Sequence, residues 1–574
     1  MRFKLRLRIA VAPFAALALA GSLSACADMG GISLTPAPTG ASAEAASYGD
    51  YMSAQLAATQ HDLNDASKLY RESLSDNPSD PDILDHAFLY TAANGDVGQA
   101  AHLATRVVAT QADNRAARLT LAVAAFKKGD YADARMQIAQ SGNGPFTELT
   151  LSLLDAWAAA GLGDTKTALA DLKLVPTQGG TDVLAAYERA LVLDLAGQND
   201  DADAAYREAL AGGASPRTID AYGRFLERTG RTADARALYT KLASDQAVGP
   251  ISAAGLARLD AGTKPERLVP TASDGAAEAL FGIAASLTDE TSADIAILYL
   301  QLALYLEPHL DLAKIVLADR FEALDKYDDA IAVYRAVDSD SPYKMAAAVQ
   351  IAIDETHLNR NDAAIADLKT IAAAQPSEIS TWTALGDAYR SAEKWPEAED
   401  AYDHAVKLLG IVTDKDWPLF YARAVAEERS HHWDLAEADL QHALKLSPDQ
   451  AQVLNYLGYS WVDQGRNLTQ ALAMLEKARS LSPFDGYIVD SVGWAYYRIG
   501  RYADAAKTLE NAVLLVPGDS TINDHLGDAY WKVGRKLDAH FQWSHALAFG
   551  PEADEKPKLE EKLKHGLDVA GTPS

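Results

Sequence analysis

The chain has 574 residues, a formal net charge of −28 and 48% hydrophobic residues. This length exceeds what one compact core organises, so the chain contains either several domains or a stack of repeated units. The negative charge repels phosphate backbones, which argues against a nucleic-acid partner. A single cysteine, Cys26, excludes an internal disulfide and a cysteine-based metal cluster.

Residues 1–25 have the pattern of a secretion signal peptide. Four basic residues precede an apolar run over residues 9–20 that is shorter than the ~20 residues a membrane-spanning helix needs. The segment ends in LSAC, closing at Cys26, and resembles a bacterial lipobox, in which the cysteine is acylated and becomes the first mature residue. The alternative is an ordinary signal peptide followed by a chance cysteine.

The residue after Cys26 is Ala27 and not Asp, which by resemblance to the sorting rules of Gram-negative bacteria favours the outer membrane. Residues 26–46 contain mainly Gly, Ser, Thr, Ala and Pro, a composition that predicts a flexible, lipidated tether. We therefore expect a lipoprotein anchored in the membrane through Cys26, with its folded part on the periplasmic face of the outer membrane.

From residue 47 onward an alanine recurs at steps of mostly 34 residues, and an aromatic or aliphatic residue follows it four positions later. This spacing and the apolar stripes at three- and four-residue steps predict an all-α fold of about fourteen helical hairpins. The hairpins fall into an N-terminal array at residues 47–243 and a C-terminal array at residues 275–551. The recurring alanines are Ala66, Ala100, Ala134, Ala168, Ala202, Ala235, Ala296, Ala330, Ala364, Ala398, Ala436, Ala471, Ala505 and Ala539.

The spacing of about 34 residues is interrupted once, because Ala235 and Ala296 are 61 residues apart. Residues 244–274 are rich in Gly and Pro and predict a linker, with a short helix near residues 251–259. The linker is either a hinge between two arms or an ordered insertion packed on one face. Residues 552–574 predict a charged helix that caps the array, followed by a tail.

The last three repeats carry the clearest motif. They read NYLGYSWVDQG, GYIVDSVGWAYYRIGRYADAA and NDHLGDAYWKVGR at corresponding places, and each has a glycine at its eighth position (Gly458, Gly493 and Gly527). This pattern resembles the tetratricopeptide repeat, a 34-residue pair of antiparallel helices. A glycine at that position lets the two helices cross closely. The resemblance implies a solenoid in which each unit buries its apolar stripe against its neighbours.

No catalytic motif is present: there is no H-E-x-x-H, no G-x-S-x-G and no G-x-x-x-x-G-K. His431, His432 and His442 form the densest histidine group, but no carboxylate-rich ligand set accompanies them. We therefore expect no enzyme activity, no metal, no cofactor and no small-molecule substrate.

The resemblance also implies that the first helix of each hairpin lines a concave groove that binds protein partners. In the last three repeats the groove positions combine aromatic and charged residues, the usual make-up of interaction hot spots. The corresponding positions of the third repeat are much plainer: Ala116, Leu119, Val123, Phe126 and Lys127. For each ring the alternative is packing between neighbouring repeats. The predicted binding residues, called the candidate surface below, are Asn455, Tyr459, Tyr487, Asp490, Trp494, Tyr497, Arg498, Asp524, Asp528, Trp531 and Lys532.

The signal, the array and the last three repeats together resemble a family of periplasm-facing bacterial repeat lipoproteins. Some members are adaptors that bind a carboxyl-terminal processing protease and deliver cell-wall hydrolases to it. The resemblance implies a scaffold whose partners are a periplasmic protease and its substrates, with tethering making their encounter intramolecular. The second hypothesis is an assembly or export component that supports a secretin, a pilus or a polysaccharide export machine.

Overall fold

The computed structural model describes residues 39–142, 147–175, 181–213, 215–243, 248–289, 292–553 and 555–567. In these residues all regular secondary structure is helical, with thirty α-helices and one 3₁₀ turn at Leu172–Leu174. The chain divides into two compact units, Met1–Asp354 and Glu355–Ser574. Among the described residues, no helix combines the length and apolar character that a membrane span requires.

The first unit contains α1 to α17 and most of α18. Their bounds are α1 Thr39–Thr59, α2 Leu63–Asp76, α3 Pro81–Ala93, α4 Val97–Thr110, α5 Arg115–Lys128, α6 Tyr131–Ala139, α7 Thr147–Gly161, α8 Thr165–Asp171, α9 Thr181–Leu195, α10 Asn199–Gly212, α11 Pro216–Arg228, α12 Thr232–Leu242, α13 Gly249–Asp260, α14 Ala272–Ser286, α15 Ala293–Leu306, α16 Asp311–Ala323, α17 Tyr327–Arg335 and α18 Lys344–His357.

The second unit contains the remaining helices. Their bounds are α19 Asn361–Ala374, α20 Ile379–Ser391, α21 Trp395–Leu408, α22 Trp417–Arg429, α23 Trp433–Leu446, α24 Ala451–Asp463, α25 Leu468–Leu481, α26 Gly486–Arg498, α27 Tyr502–Leu515, α28 Ser520–Lys532, α29 Lys536–Ala548 and α30 Lys556–His565.

The helices confirm the predicted all-α repeat solenoid. Within the two units, thirteen pairs of consecutive helices pack as hairpins in the described residues. Helices α18 and α19 take the place of a fourteenth pair in the chain order. All fourteen periodic alanines are completely buried, from Ala66 to Ala539. Helices α13 and α30 are left over, and α30 is the predicted capping helix.

The turn inside each hairpin follows from its residues. Gly95 has a φ of 89°, a left-handed conformation that glycine adopts without steric cost. The next residue, Asp96, caps α4 because its carboxylate accepts a hydrogen bond from the Gln99 backbone N–H at 3.1 Å. The same glycine–aspartate turn precedes α6 and α8, where Asp130 and Asp164 are the capping residues.

Helices α14 and α15 pack against earlier helices of the first unit. Helix α14 contacts α5, α7 and α9, while α15 contacts α3, α4 and α5. The Ser273 hydroxyl donates a hydrogen bond to the Phe126 carbonyl at 2.7 Å, and Tyr187 donates one to Glu278 at 3.0 Å. Gly275 lies so close to the Trp157 ring that an added Cβ would be 2.3 Å from it.

These contacts correct the expected division of the chain. The boundary between the compact units falls between Asp354 and Glu355, and not at residues 244–274. The described part of the predicted linker is an ordered insertion: α13 packs on α11 and α12, and Arg258 donates to Glu227 at 2.7 Å. Thr271 and Asp274 form a capping box at the start of α14. Residues 244–247 lie outside the described residues.

The predicted tether also needs a correction at its end. Helix α1 begins at Thr39, inside residues 26–46, because alanine-rich sequence has a high helix propensity. The predicted signal peptide at residues 1–25 and the lipidation site Cys26 lie outside the described residues.

Replacing Gly493 with Ala is expected to destabilise the second unit. A Cβ at this position would lie 2.6 Å from Leu509 Cγ, and overpacking of this kind costs about 1–3 kcal/mol, partly offset by the higher helix propensity of alanine. Urea unfolding followed by circular dichroism measures the effect. Gly518→Ala is the matched control, since no atom lies within 4 Å of its added Cβ. Equal midpoints for the two variants would contradict close helix crossing at Gly493.

Candidate functional site

The candidate surface lies on α24, α26 and α28, the first helices of three consecutive hairpins in the second unit. Its members differ widely in exposure. Tyr487 is 46% exposed, and Arg498 and Lys532 are also exposed, whereas Asp490 and Asp528 are buried. The half-buried members are Asn455, Tyr459, Trp494, Tyr497, Asp524 and Trp531.

Three rings form a stack that joins α26 to α28. The Trp494 ring lies 4.0 Å from the His525 ring and 4.8 Å from the Tyr497 ring, measured between centroids, and is nearly parallel to both. His525 Nδ1 is 3.0 Å from both carboxylate oxygens of Asp490, and its N–H donates to that carboxylate. The Asp490–His525 pair therefore holds the face on which Trp494 stacks.

The surroundings of His525 favour its charged form. Burial lowers the pKa of His525, but the carboxylates of Asp490, Asp524 and Asp528 raise it, and the net pKa lies above the ordinary histidine value. Burial and nearby carboxylates likewise raise the pKa of Tyr497, which therefore remains a neutral phenol.

Asp524 and Asp528 hold a lysine from another element. Lys562 of α30 places its Nζ 2.7 Å from both Asp524 oxygens and 3.0 Å from Asp528 Oδ2. Asp528 Oδ1 also accepts a hydrogen bond from Trp543 Nε1 at 2.9 Å. Burial lowers the pKa of Lys562, whereas Asp528 and Asp524 raise it and the net shift is upward, so the ammonium stays charged.

The two tryptophans of the candidate surface have different surroundings. Trp531 packs near Trp543, at 5.4 Å between ring centroids, and the Lys536 ammonium lies 4.3 Å from the Trp531 ring centroid. Gly566, just after α30, covers the same ring so closely that an added Cβ would be 2.1 Å from it. Both rings are half-buried and pack against the same hydrophobic cluster, and Trp531 is additionally covered by Gly566.

The remaining members surround this stack. Arg498 Nη1 donates to the Asp463 carbonyl at 3.1 Å, which links α26 to α24. The pKa of Tyr459 is raised by burial and by the carboxylates of Asp490 and Asp463. Tyr487 and Lys532 reach solvent at the edges, and Asn455 Oδ1 is a buried oxygen without a hydrogen-bond partner.

In the third repeat, the positions that correspond to the candidate surface are covered by other helices of the first unit. Leu119, Val123 and Phe126 are buried because α14 and α15 pack on α5. Lys127 Nζ donates to the Leu306 carbonyl of α15 at 3.0 Å. In the first unit, then, the face of α5 that corresponds to the candidate surface packs internally.

Sequence reasoning missed Lys562 and the pairing of His525 with Asp490. A signal for the first was present, because Leu559 and Leu563 place one apolar stripe on α30 and Lys562 lies beside it. The second had no local signal, since the two residues are 35 positions apart in neighbouring repeats.

The chemistry of the candidate surface suits binding. The described residues contain no group of three or more His, Cys, Asp or Glu side chains arranged to hold a metal ion. Half-buried rings beside charged groups provide apolar area together with hydrogen-bond partners.

Comparison with known proteins supports the repeat assignment. The family model described as tetratricopeptide repeat matches residues 87–146, 349–409, 421–486 and 493–548. These matches and the fourteen-hairpin order define a tetratricopeptide-repeat solenoid. Such repeats indicate a scaffold for protein–protein interaction, a class of protein that is generally non-catalytic.

Particular relatives share only parts of the chain. The TPR repeat-containing protein PA4667 of Pseudomonas aeruginosa is 37% identical over 95 residues, which are 17% of this chain and 16% of that protein. The general transcriptional corepressor ssn6 of Schizosaccharomyces pombe is 27% identical over 132 residues, or 23% of this chain and 12% of that protein. The solved APC/C hetero-tetramer Cut9-Hcn1 is 17% identical with a TM-score of 0.39, covering 85% of this chain and 97% of that one.

Replacing Asp490 with Asn is expected to change how stability depends on pH. The folded-state pKa of His525 is raised, so its protonated form stabilises the fold below the unfolded pKa of about 6.5, and this stabilisation is lost as the pH rises through the folded pKa. The groups facing His525 are Asp490, Asp524 and Asp528. Urea unfolding at about pH 6 and about pH 8 should therefore show a loss of stability with pH that is smaller in Asp490→Asn than in wild type.

The control for this experiment is Asp463→Asn, which removes one exposed carboxylate and should retain the wild-type pH dependence. If Asp490→Asn and wild type lose the same stability between the two pH values, the Asp490–His525 pair does not titrate as described.

Proposed function

We propose that this protein is a scaffold of the Gram-negative cell envelope that binds partner proteins through the candidate surface. One observation carries the proposal: aromatic and charged side chains meet at a half-buried stack around Trp494, while the corresponding face of α5 is covered by the first unit's own α14 and α15. Partly exposed Trp, Tyr and Arg side chains dominate the binding energy of many protein interfaces.

The proposal includes a lipid anchor at Cys26 and a position on the periplasmic face of the outer membrane. Its support is the sequence: a basic and apolar leader, the LSAC segment and the single cysteine at its end. Acyl chains contribute about 0.8 kcal/mol per buried methylene, and stable anchoring takes more than one chain. A lipoprotein carrying several acyl chains would therefore keep the repeats beside the membrane.

In its specific form, the proposal is that the scaffold binds a carboxyl-terminal processing protease and brings it to its cell-wall hydrolase substrates. The support for this step is the resemblance of the signal, the array and the last three repeats to adaptor lipoproteins. A scaffold that binds enzyme and substrate at once raises their effective concentration without performing chemistry itself. The described residues are consistent with this role, since they form helical hairpins with two leftover helices.

Replacing Trp494 with Ala is expected to weaken the binding of partner proteins by more than about tenfold. Truncation removes the ring that stacks on His525 and Tyr497, and hot-spot truncations cost about 2 kcal/mol or more. The measurement is affinity capture from detergent-solubilised envelope with quantitative mass spectrometry, in which a protease and cell-wall hydrolases are the expected partners.

Phe484→Ala is the matched control, because Phe484 is 85% exposed and lies between α25 and α26, away from the stack. It should leave capture unchanged. Recovery of a secretin or export complex without a protease would refute the protease role. Equal capture by Trp494→Ala and wild type would refute the assignment of the candidate surface.

Replacing Cys26 with Ser is expected to release the protein from the membrane fraction, because serine cannot carry the thioether-linked lipid. Fractionation of cell envelopes followed by a high-salt wash measures this release. A protein that stays with the membrane after the wash would show that Cys26 is not the anchor. Replacing Ser24, two positions before Cys26, with Ala serves as the control and should leave the protein membrane-bound.

A further inference from the structure

Helix α30 lies on part of the candidate surface. Lys562 contacts Asp524 and Asp528 of α28, and Gly566 covers the ring of Trp531. Three of the eleven residues proposed to bind partners are thus in contact with a segment of the same chain. The chemistry of that segment shows what this end of the surface accepts.

The contact has an ionic part and an apolar part. Two carboxylates surround one ammonium, with four N–O distances between 2.7 and 3.0 Å. Beside the ammonium, Leu559 is 1% exposed, and Leu563 and Leu567 pack against the same hydrophobic cluster. A cation between two leucines spaced four residues apart is the signature of one face of an amphipathic helix.

The two carboxylates hold a cation from outside α28. Asp524 accepts both of its described hydrogen bonds from Lys562, and Asp528 is buried beside it. Without Lys562, the half-buried and the buried carboxylate would repel each other, and Asp524 would lose the donor of both bonds, whereas Asp528 would keep Trp543. Any segment that replaces α30 must therefore bring a lysine or arginine to the same place.

Few buried side chains hold α30 in place, so another segment can replace it. Of its ten residues only Leu559 is fully buried, while Lys556, Lys558, Lys564 and His565 are exposed. Elements with few buried apolar contacts open at a low free-energy cost compared with the rest of a fold.

We propose that the Asp524–Asp528 end of the candidate surface binds a cationic amphipathic helix of a partner protein, and that α30 occupies this site until the partner displaces it. The partner helix carries a lysine or arginine where α30 has Lys562 and an apolar residue where α30 has Leu559. This inference rests on the proposed function and adds the chemical class of the partner. Charge complementarity carries it: an acidic site in a chain of net charge −28 is filled by a lysine-rich helix.

The test uses the full chain and a labelled peptide with the sequence of residues 555–567, EKPKLEEKLKHGL. In the variant Lys562→Glu, the introduced carboxylate faces Asp524 and Asp528 and releases α30, so the peptide should bind at least tenfold more tightly than to wild type. Fluorescence anisotropy measures binding. Trypsin cleavage after Lys558 should become faster in the same variant.

Lys564→Glu is the matched control, with the same charge change at an exposed position of the same helix, and it should bind the peptide as wild type does. Adding Asp524→Asn to Lys562→Glu should abolish peptide binding. Asp524 is replaced and not Asp528, because Asp528 also accepts a hydrogen bond from Trp543. Replacing Asp528 would therefore disturb the core. Circular dichroism checks that each variant is folded, and Lys562→Gln repeats the comparison without charge reversal.

Equal peptide affinity of wild type and Lys562→Glu would overturn the proposal, as would binding that persists after Asp524→Asn. A wild-type dimer in sedimentation that Lys562→Glu dissolves would assign the site to a second copy and would also overturn it. Failure of the proposed function has a different result: peptide binding would be intact while envelope capture through Trp494 yields no specific partner.

Discussion

The close approach of the two helices in each hairpin is the constraint on which the rest of the structure depends. Every periodic alanine is completely buried, because any larger side chain there would separate the helices. In the last repeats, glycines on the first helix meet Leu475, Leu509 and Trp543 of the second helix. This close spacing fixes the rotation of each first helix about its axis. It therefore determines which side chains of that helix face away from its partner helix.

A second constraint couples the core to the candidate surface. Four residues after the periodic alanine, several repeats have a ring that carries a hydrogen-bond donor, and the first helix supplies a carboxylate to accept it. Tyr402 donates to Asp387 at 2.8 Å and Trp543 donates to Asp528 at 2.9 Å, since a buried donor needs a partner. Asp528 also accepts from Lys562, so one side chain serves both the hairpin core and the site that α30 occupies.

The sequence predicted what depends on local spacing and missed what depends on distant packing. The thirteen packed hairpins follow from periodicity, because each apolar stripe must face its neighbour. Trp494 corresponds to Asp528 of the next repeat, and Trp531 corresponds to Tyr497, so the repeat spacing alone places both rings at groove positions. It does not show that Gly566, just after α30, covers Trp531. The boundary between the two compact units could not be predicted from the sequence. Nothing in the local sequence of α14 and α15 indicates that they pack on α3, α5, α7 and α9.

The packing of α14 and α15 has a consequence for how the first unit folds. An ideal solenoid has only nearest-neighbour contacts, so it can nucleate anywhere and lose repeats one at a time. Here His61 contacts Asp294 across 233 residues, and Thr150 contacts Tyr299 across 149. Such separations raise the contact order and delay the final contacts until the whole segment has been synthesised. We therefore expect the first unit to unfold as one cooperative block, and shortening it by single repeats to leave exposed core instead of a smaller stable array.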